Sequence, residues 1–334
     1  MAGGYNILDD SNLLWDNYRM DTKLPVPETM LEAVRQFADP DVAHDFWVQM
    51  RWPNGVVACP LSCGSIKVTY MPKRRRWYCN DCKGQFTAKV GTIFEDSPIG
   101  FDKWLPAIWL IASNRNGISS YEIARGLGVT QKTAWFMLHR IRAAMEANDP
   151  TPLTGTVEAD EAYIGGSWEK MNRKRRARVE ATGKTARASK QAVFGMVERG
   201  GRVRAFAVGD TQHRTLLPKL RDSIHHDATL YTDKSSLYTH ASEFFLHHSS
   251  VDHHLEEWVR GNVHTNNIEC FWSVLKRTIG GTYIHVNPRH LDRYLAEQVF
   301  RFDERENQDG PRFAKATQGA DGKRLTYKTL VAKP

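Results

Sequence analysis

The chain has 334 residues, of which 41% are hydrophobic and 25% are charged, a composition typical of a soluble globular protein with room for two or three domains. A formal net charge of +8 and a pI near 9.2 favour a polyanionic partner, most simply nucleic acid. No stretch approaches the ~20 apolar residues of a membrane-spanning helix, and no basic patch followed by an apolar run opens the chain, so we expect neither a membrane span nor a secretory signal.

Residues 1–55 are predicted to form an N-terminal helical arm. The first 25 residues are polar and mixed, whereas the sequence becomes amphipathic from Pro27 onward. The stretches PETMLEAVRQFAD and PDVAHDFWVQMRW predict two short helices, which we expect to pack together before the turn at 53–55.

Two cysteine pairs, CPLSC and CNDC, lie within residues 56–96 and are separated by fifteen residues. Four thiolates at this spacing can bind Zn²⁺ tetrahedrally, and the metal then replaces the core that so short a segment cannot build. Coincidental cysteines and a redox CxxC motif are the alternatives. Because four of the five cysteines are paired locally, we expect a metal site in a reduced, cytoplasmic compartment. The predicted structural zinc ligands are Cys59, Cys63, Cys79 and Cys82.

A run of four basic residues lies between the cysteine pairs and precedes Trp77 and Tyr78. Basic side chains beside aromatic rings can bind phosphates and stack on bases. The run could equally be the solvated tip of a hairpin. The candidate DNA contacts are Lys73, Arg74, Arg75 and Arg76.

Residues 97–148 are predicted to be a helix-turn-helix region. An apolar helix over 101–112 is followed by a second helix, which Ser119 and Glu122 open as a capping box. A glycine turn at 128–129 then leads into a third helix that starts at Thr130. Helix, tight turn and second helix is the layout of a DNA-binding helix-turn-helix.

The helix after this turn has a polar first turn and an apolar face. We expect Trp135, Leu138 and Ile141 to face inward while the polar residues meet base edges or phosphates. A plain helical hairpin is the alternative, but the spacing favours DNA binding. The candidate contacts are Thr130, Gln131, Lys132 and Thr133.

A break with two prolines at 148–152 predicts a domain boundary, with a catalytic domain over 153–307 and a C-terminal tail over 308–334. The strand that follows the break alternates, so that Glu158 and Asp160 share one face while Glu161 faces the other side. Unpaired buried charge is costly. Either a bound cation or a solvated edge strand would explain two acids on one face.

Residues 170–190 contain nine Lys or Arg residues and one acid, with little apolar content. No core can form there, so the segment is predicted to be a mobile basic loop that grips a phosphate backbone, or else a merely solvated run of charge. The candidate DNA contacts are Arg173, Lys174, Arg175 and Arg176.

The rest of the chain predicts a mixed α/β sheet. A hairpin at 192–210 precedes a helix at 215–224 and a strand at 228–232 that ends at Asp233. The histidines at 247, 248, 253 and 254 could form a second metal site, but no spacing there is diagnostic.

The predicted helix over 265–279 separates apolar from polar side chains. An apolar side begins at Ile268, and a polar side carries Asn266, Glu269, Ser273 and Lys276. A carboxylate on this helix facing one at a strand end could bind a divalent cation, as in a metal-dependent phosphoryl-transfer site. Alternatively, Asn266 and Glu269 form only a capping box.

These motifs resemble, in one order over residues 30–307, the insertion-sequence transposases that carry an N-terminal zinc ribbon and a DDE-type catalytic domain. The segments that carry the resemblance are the zinc ribbon, GTIFEDSPIGFDKWLPAIWL, KTAWFMLHRIRAAM, EADEAYIGG, YTDKSSLY, HTNNIECFWSVLKR and GGTYIHVNPRHLDRYLAEQVFRFDER. The resemblance implies a multidomain α/β protein whose catalytic domain has a ribonuclease-H-like mixed sheet. It also implies three catalytic acids, Asp160, Asp233 and Glu269, spaced by 73 and 36 residues.

Two positions depart from the family pattern. The first cysteine pair has one more residue than the resemblance leads us to expect. The third acid position varies among members, so that Asn266 or Asn267 could serve together with Lys276. Because asparagine is a weaker, neutral ligand, we favour Glu269.

The resemblance further implies that the acids hold two Mg²⁺ (or Mn²⁺) ions for cleavage and joining of DNA strands, while Lys276 contacts a phosphate. The expected partners are double-stranded DNA, as terminal inverted repeats and target, and further copies of the chain when two ends are paired. The expected location is the nucleoid. An inert DNA-binding regulator and a nuclease that does not join strands are the alternatives.

Overall fold

The chain forms two compact units in a computed structural model. Helices and strands occur in both units, and no described helix is both long and apolar enough to cross a membrane. The first unit comprises the residues before 114 together with 123–144 and 308–334, and the second comprises 114–122 and 145–307. The structure describes residues 23–147, 149–165, 173–181, 190–233, 238, 243–245, 247–252, 255, 257–284 and 286–332.

The first elements of the chain are two helices, a small sheet and three further helices. Their bounds are α1 (Met30–Phe37), α2 (Pro40–Arg51), β1 (Val68–Met71), β2 (Arg76–Cys79), β3 (Gln85–Phe86), α3 (Phe101–Ser113), α4 (Ser120–Leu127) and α5 (Gln131–Met145). Strands β1, β2 and β3 pair antiparallel in that order. The predicted helices of this region are confirmed.

The later elements form a mixed α/β layer structure followed by two C-terminal helices. Their bounds are β4 (Thr156–Ile164), α6 (Arg173–Glu180), β5 (Gln191–Glu198), β6 (Val203–Val208), α7 (His213–Ser223), β7 (Thr229–Asp233), β8 (His247–Val251), α8 (Asn266–Thr278), α9 (Leu291–Asp303), α10 (Asp309–Gln318) and α11 (Tyr327–Val331). Residues 308–334, a tail in the sequence analysis, thus contribute two helices to the first unit.

Aromatic side chains form the core of the first unit. Phe313 of α10 lies 5.8 Å from the rings of both Phe37 and Phe46, measured between centroids. Trp47 packs edge-on against Phe94, and its indole nitrogen donates to the carbonyl of residue 88 at 2.8 Å. Each such ring pair contributes ~0.5–1.5 kcal/mol beyond the stabilisation that comes from its buried area. Packing of the rings therefore holds α10 against α1 and α2.

The N-termini of two short helices follow directly from the sequence. Thr29 and Glu32 form a capping box at α1, because each side chain accepts from the backbone N–H of the other. Ser119 and Glu122 do the same before α4, as predicted. These caps satisfy N–H groups that a helix otherwise leaves without an intrahelical partner.

The sheet of the second unit has five strands in the order β6-β5-β4-β7-β8. Strands β4, β5 and β6 pair antiparallel, whereas β7 is parallel to both β4 and β8. The fold is therefore the predicted mixed α/β class with a ribonuclease-H-like domain. Because β4 is the central strand, the alternative that its acids lie on a solvated edge strand is wrong.

Each face of this sheet has its own apolar cluster. Alternate residues of β4 and β5 pack beneath α7 on one face, where Val157 and Phe194 are fully buried. The intervening residues pack beneath α8 and α9 on the other face, where Ile268 and Phe271 are fully buried. The strand alternation that the sequence predicts for 157–163 is confirmed.

The basic segment 170–190 is not wholly a loop. Arg173–Glu180 form α6, so the prediction of a loop is wrong for these residues. Long, straight side chains such as Arg and Lys have good helix propensity, which composition alone did not weigh. The remainder of the segment, apart from residues 181 and 190, lies outside the described residues.

Candidate functional site

Parallel pairing of β4 and β7 places two of the predicted acids at the same level of the sheet. Glu158 pairs with Tyr231, and Asp160 and Asp233 each lie two residues further along their strands. Because side chains alternate with a period of two, both acids share the face of Glu158 and Tyr231. Both acids are partly buried.

Helix α8 carries the third predicted acid, Glu269, over this face of β4 and β5. Burial raises the pKa of Asp160 most, and the negative charges of Asp233 and Glu269 raise it further, to about 7, against the opposing hydrogen bonds from the amide of Glu161 and the indole of Trp272. The three carboxylates therefore interact electrostatically. Mutual repulsion between carboxylates is relieved by a bound cation, so the group is chemically suited to Mg²⁺.

The three acids are less compact than the ligands of a closed metal site. Among the described residues, two groups have His, Cys or carboxylate atoms that all lie within 4.8 Å of one another, the four cysteines and the turn at 225–227. Asp160, Asp233 and Glu269 are not as compact as that.

The polar side of α8 is exposed as the sequence predicts. Asn266, Glu269, Ser273 and Lys276 are all exposed, while the apolar side is buried. Lys276 follows Glu269 by seven residues, which is about two turns on the same side.

The alternative that Asn266 and Glu269 form a capping box is wrong. Thr265 is the N-cap residue of α8, and its hydroxyl donates to Oε1 of Glu269 at 3.0 Å. Thr265 caps no backbone N–H group with its side chain. The role of Glu269 is therefore not that of a helix cap.

The N-terminus of α8 is capped instead by Glu158, a role that the sequence analysis missed. This carboxylate is fully buried. Its partners come from positions 41 to 110 residues away, so no local sequence pattern could reveal them. The donors are Arg199 Nε at 2.7 Å, the backbone N–H and Nδ2 of Asn267 at 2.8 Å each, and the N–H of Ile268 at 3.2 Å. Nδ1 of His264 lies 3.2 Å from the same carboxylate.

These contacts answer one question left open by the sequence. The buried acid beside Asp160 is paired by the protein itself, so Glu158 does not require a metal ion. The amide nitrogen of Asn267 is bonded to Glu158. The choice of Glu269 over Asn266 or Asn267 as the third ligand stays a prediction.

Trp272 of α8 contacts Asp160 directly, which the sequence analysis also missed. Its indole nitrogen donates to Oδ2 of Asp160 at 3.1 Å. Gly195 on β5 is paired with Asp160, and a Cβ atom at this position would lie 2.6 Å from Cη2 of Trp272. The absence of a side chain at 195 thus makes room for the ring beside the acid.

The four predicted zinc ligands converge in the small sheet. The Sγ atoms of Cys59 and Cys82 are 3.8 Å apart, and those of Cys63 and Cys79 are 3.6 Å apart. Tetrahedral zinc with Zn–S bonds of 2.3 Å requires S···S distances of ~3.8 Å. The donor set therefore fits structural Zn²⁺.

The longer first cysteine pair is accommodated by two left-handed residues. Ser62 has φ = 71° and Gly64 has φ = 63°. After this turn the N–H of Cys59 donates to the carbonyl of Ser65 at 2.9 Å. The extra residue therefore changes the turn without separating the thiols.

The basic run between the cysteine pairs is a solvated hairpin tip. Arg75 is left-handed, with φ = 46°, and forms an ion pair with Asp41. Trp77 is 1% exposed and stacks on Phe86, so the expectation that it stacks on bases is wrong. Tyr78 is half-buried. All four cations at the tip are exposed, namely Lys73, Arg74, Arg75 and Arg76.

The first turn of α5 presents polar side chains as expected. Thr130 and Lys132 are exposed, while Gln131 and Thr133 are half-buried. Thr130 accepts from the N–H of Thr133 at 3.2 Å. Part of this turn therefore serves as a helix cap, and Lys132 lies 5.1 Å from the ring centroid of Tyr327.

The inward face of α5 differs from the prediction at one residue. Leu138 and Ile141 are buried as expected, and so is Ala134. Trp135 is only half-buried, and its ring packs on His139. The prediction that Trp135 faces inward is therefore confirmed in part, since its ring packs on the fully buried His139.

The remaining candidates lie on α6 and β8. Arg173 and Lys174 are exposed, Arg176 is half-buried, and the side chain of Arg175 lies outside the described residues. On β8, His248 shares a 3.0 Å hydrogen bond with the hydroxyl of Thr232. The histidines at 253 and 254 lie outside the described residues, so the hypothesis of a second metal site there stays a hypothesis.

Two family models match the chain in the order that these features predict. The model of the transposase zinc-ribbon domain matches residues 39–85, and that of the ISXO2-like transposase domain matches residues 152–303. Together they cover more than half of the chain. No curated protein gave a match. The chain therefore belongs to the insertion-sequence transposases that combine a zinc ribbon with an ISXO2-like transposase domain.

Proposed function

We propose that this transposase cuts DNA strands at the ends of its insertion sequence and joins them to target DNA in a metal-dependent reaction. The observation that carries the proposal is the position of Asp160, Asp233 and Glu269 on one face of the sheet, where burial, followed by the charges of Asp233 and Glu269, raises the pKa of Asp160 to about 7. Carboxylates with perturbed pKa values are typical of catalytic sites.

The residues of the site have separate tasks in this proposal. The three carboxylates would hold Mg²⁺, which when bound supplies activation of a water or 3′-hydroxyl and stabilisation of the leaving oxygen. Lys276, on the same exposed side of α8 as Glu269, would contact a phosphate. Asn266 is exposed beside them and could bind water or phosphate. Trp272 would hold one oxygen of Asp160, leaving the other for metal.

Recognition of the ends is assigned to the first unit. The zinc ribbon, with its exposed cations at 73–76, and the first turn of α5 offer positive charge and polar donors to DNA. The cations of α6 would add phosphate contacts in the second unit. Two ends are paired in transposition, so we expect further copies of the chain to assemble on DNA in the cytoplasm, at the nucleoid.

The test compares cleavage and joining by wild type and Asp160→Asn. The substrates are a labelled duplex carrying the element end and a supercoiled target plasmid, with Mg²⁺. We expect wild type to produce joined product and Asp160→Asn to lose at least ~10³-fold in cleavage while binding ends within about threefold of wild type. Asp222→Asn, an exposed acid on α7, is the matched control.

Each other outcome identifies a different function. Cutting without joined product would indicate a nuclease. End binding with no cutting by wild type in either Mg²⁺ or Mn²⁺ would indicate an inert DNA-binding regulator. Cleavage by Asp160→Asn at the wild-type rate would overturn the assignment of the site.

A further inference from the structure

We infer that Glu158, Arg199 and Asn267 form a polar clamp that sets the positions of the three acids relative to one another. This inference rests on the proposed function and deepens it. The clamp residues touch no reacting atom, so they are positioning residues rather than catalytic ones.

The clamp contacts all three elements that carry the acids, and on the two strands the contacts lie one register below the acids. Glu158 precedes Asp160 by two residues on β4, and Asn267 precedes Glu269 by two residues on α8. On β7, Tyr231 precedes Asp233 by two residues, and its ring centroid lies 4.9 Å from Cζ of Arg199. A single connected group thus contacts β4, β7 and α8.

Arg199 links the clamp to the loop that leads into α8. Its Nε donates to Glu158 at 2.7 Å, while Nη1 and Nη2 donate to the carbonyls of Asn262 at 2.9 Å and His264 at 3.1 Å. Its own N–H donates to the carbonyl of Thr156 at 2.9 Å. The rigid fork of a guanidinium fixes these partners in one geometry, which a lysine could not do.

The source of the helix cap distinguishes a clamp from an ordinary helix start. A local cap residue would stabilise α8 without fixing its place on the sheet. Thr265, the N-cap residue, makes no such bond with its side chain, and the N–H groups of Asn267 and Ile268 bind Glu158 on the central strand instead. The bonds that finish the helix therefore also join it to β4.

The charge of Glu158 makes the contact between β4 and α8 strong and sensitive to substitution. The Glu158 carboxylate is fully buried and lies at the positive end of the α8 dipole. Hydrogen bonds to an ionised acceptor are stronger than neutral ones, and a buried charge that loses its partner is costly. A neutral side chain at 158 would loosen α8 and displace Glu269 from Asp160 and Asp233.

The experiment measures how metal binding depends on the clamp. Variants Glu158→Gln, Arg199→Lys and Asn267→Ala are compared with wild type in Mn²⁺ titrations of end cleavage. Mn²⁺ binding is also measured without DNA, by electron paramagnetic resonance. Groups that orient metal ligands typically change metal affinity by 10–100-fold. We therefore expect the half-maximal Mn²⁺ concentration to rise about tenfold in Glu158→Gln, with cleavage largely restored at saturating Mn²⁺.

Glu297→Gln is the matched control. Glu297 is a 1% exposed carboxylate paired with Arg301 in the same unit, and it contacts none of the three acids in the bonds described. Its loss should lower the melting temperature, as we also expect for loss of Glu158, but leave the half-maximal Mn²⁺ concentration unchanged. This separates positioning from general stability.

The outcomes decide between the clamp and the proposed function. Wild-type metal dependence in folded Glu158→Gln would overturn the clamp alone. If Glu158→Gln does not fold, Asn267→Ala carries the test, because it keeps both backbone donors and should raise the half-maximal Mn²⁺ concentration about threefold. If Asp160→Asn binds Mn²⁺ as tightly as the wild-type protein does, the proposed function is overturned, and the clamp with it.

Discussion

The cysteine site and the acid site differ in how their ligands are distributed along the chain. The four thiols come from residues 59–82 and approach one another across two turns and a small sheet. The three acids are spread over residues 160–269, and only the pairing of β4 with β7 and the packing of α8 bring them to one face of the sheet. In the ribbon a zinc ion would hold the fold together, whereas in the proposed acid site the fold would have to hold the metal.

This difference explains what could be predicted from the sequence. A short cysteine spacing is itself a geometric constraint, so all four zinc ligands could be named before the structure. The apolar side of α8 and the alternation of β4 were likewise visible, because both periodicities are local. The three acids were identified by resemblance to a family, since no local pattern brings distant carboxylates together.

The features that were missed depend on pairing between distant segments. Glu158 caps a helix that begins 108 residues later, and only the register of the sheet makes this contact possible. The basic neighbours of Trp77 predict a contact with DNA, yet its side chain is buried in the core. The composition of 170–190 predicts a loop, but Arg and Lys also have good helix propensity, and this propensity accounts for α6.

Removal of zinc provides the largest expected effect and tests the comparison most directly. Zinc supplies ~10–16 kcal/mol in small metal-dependent modules, so Cys79→Ser should unfold the ribbon and lower affinity for DNA ends at least ~10²-fold. Zinc content, circular dichroism and end binding measure these effects. Mn²⁺ binding at the acid site should persist, since β4, β7 and α8 belong to the other unit.

Cys270→Ser is the control for this prediction. Cys270 is an exposed thiol outside the cysteine cluster, so its loss should leave zinc content unchanged. Retention of a folded ribbon in zinc-free Cys79→Ser would contradict the view that the metal holds this part of the fold.

The second prediction concerns the stability cost of the acid site. The pKa of Asp160 is about 7 in the folded protein and near 3.9 in an unfolded chain. Because the folded state binds the proton more tightly, protonation of Asp160 contributes its full stabilisation below about pH 4. This contribution falls as pH rises and is gone above about pH 7, so that the free energy of unfolding drops by up to roughly 4 kcal/mol. Asp160→Asn should therefore raise the melting temperature at pH 8 but not at pH 4.

The measurement uses magnesium-free buffer, because Mg²⁺ would offset the repulsion in wild type. Adding Mg²⁺ should narrow the difference between the two proteins at pH 8. Equal melting temperatures at pH 8 without Mg²⁺ would mean that burial and repulsion together do not raise the pKa of Asp160 in the folded state.

A third, smaller effect is expected at Gly195. Alanine would place a methyl group 2.6 Å from Trp272 and 3.0 Å from Ile268, which forces α8 away from β5. Overpacking of this kind costs ~1–3 kcal/mol. Denaturant unfolding measures the loss, with Gly209→Ala as the control, since a Cβ atom there meets nothing within 4 Å. If Trp272 holds Asp160 in place, Gly195→Ala should lower cleavage as well as stability. If it does not, only stability should fall.

The smallest expected effects separate the DNA contacts of the two units. Lys132→Ala on α5 and Lys174→Ala on α6 each remove one exposed cation, so each should reduce the salt slope of end binding by about one. Lys132 lies at the start of the predicted recognition helix. Its loss should therefore weaken binding to the true end more than to an unrelated duplex, whereas loss of Lys174 should weaken both equally. Equal losses for Lys132→Ala on both duplexes, measured by anisotropy over a salt series, would assign α5 to the phosphate backbone rather than to base recognition.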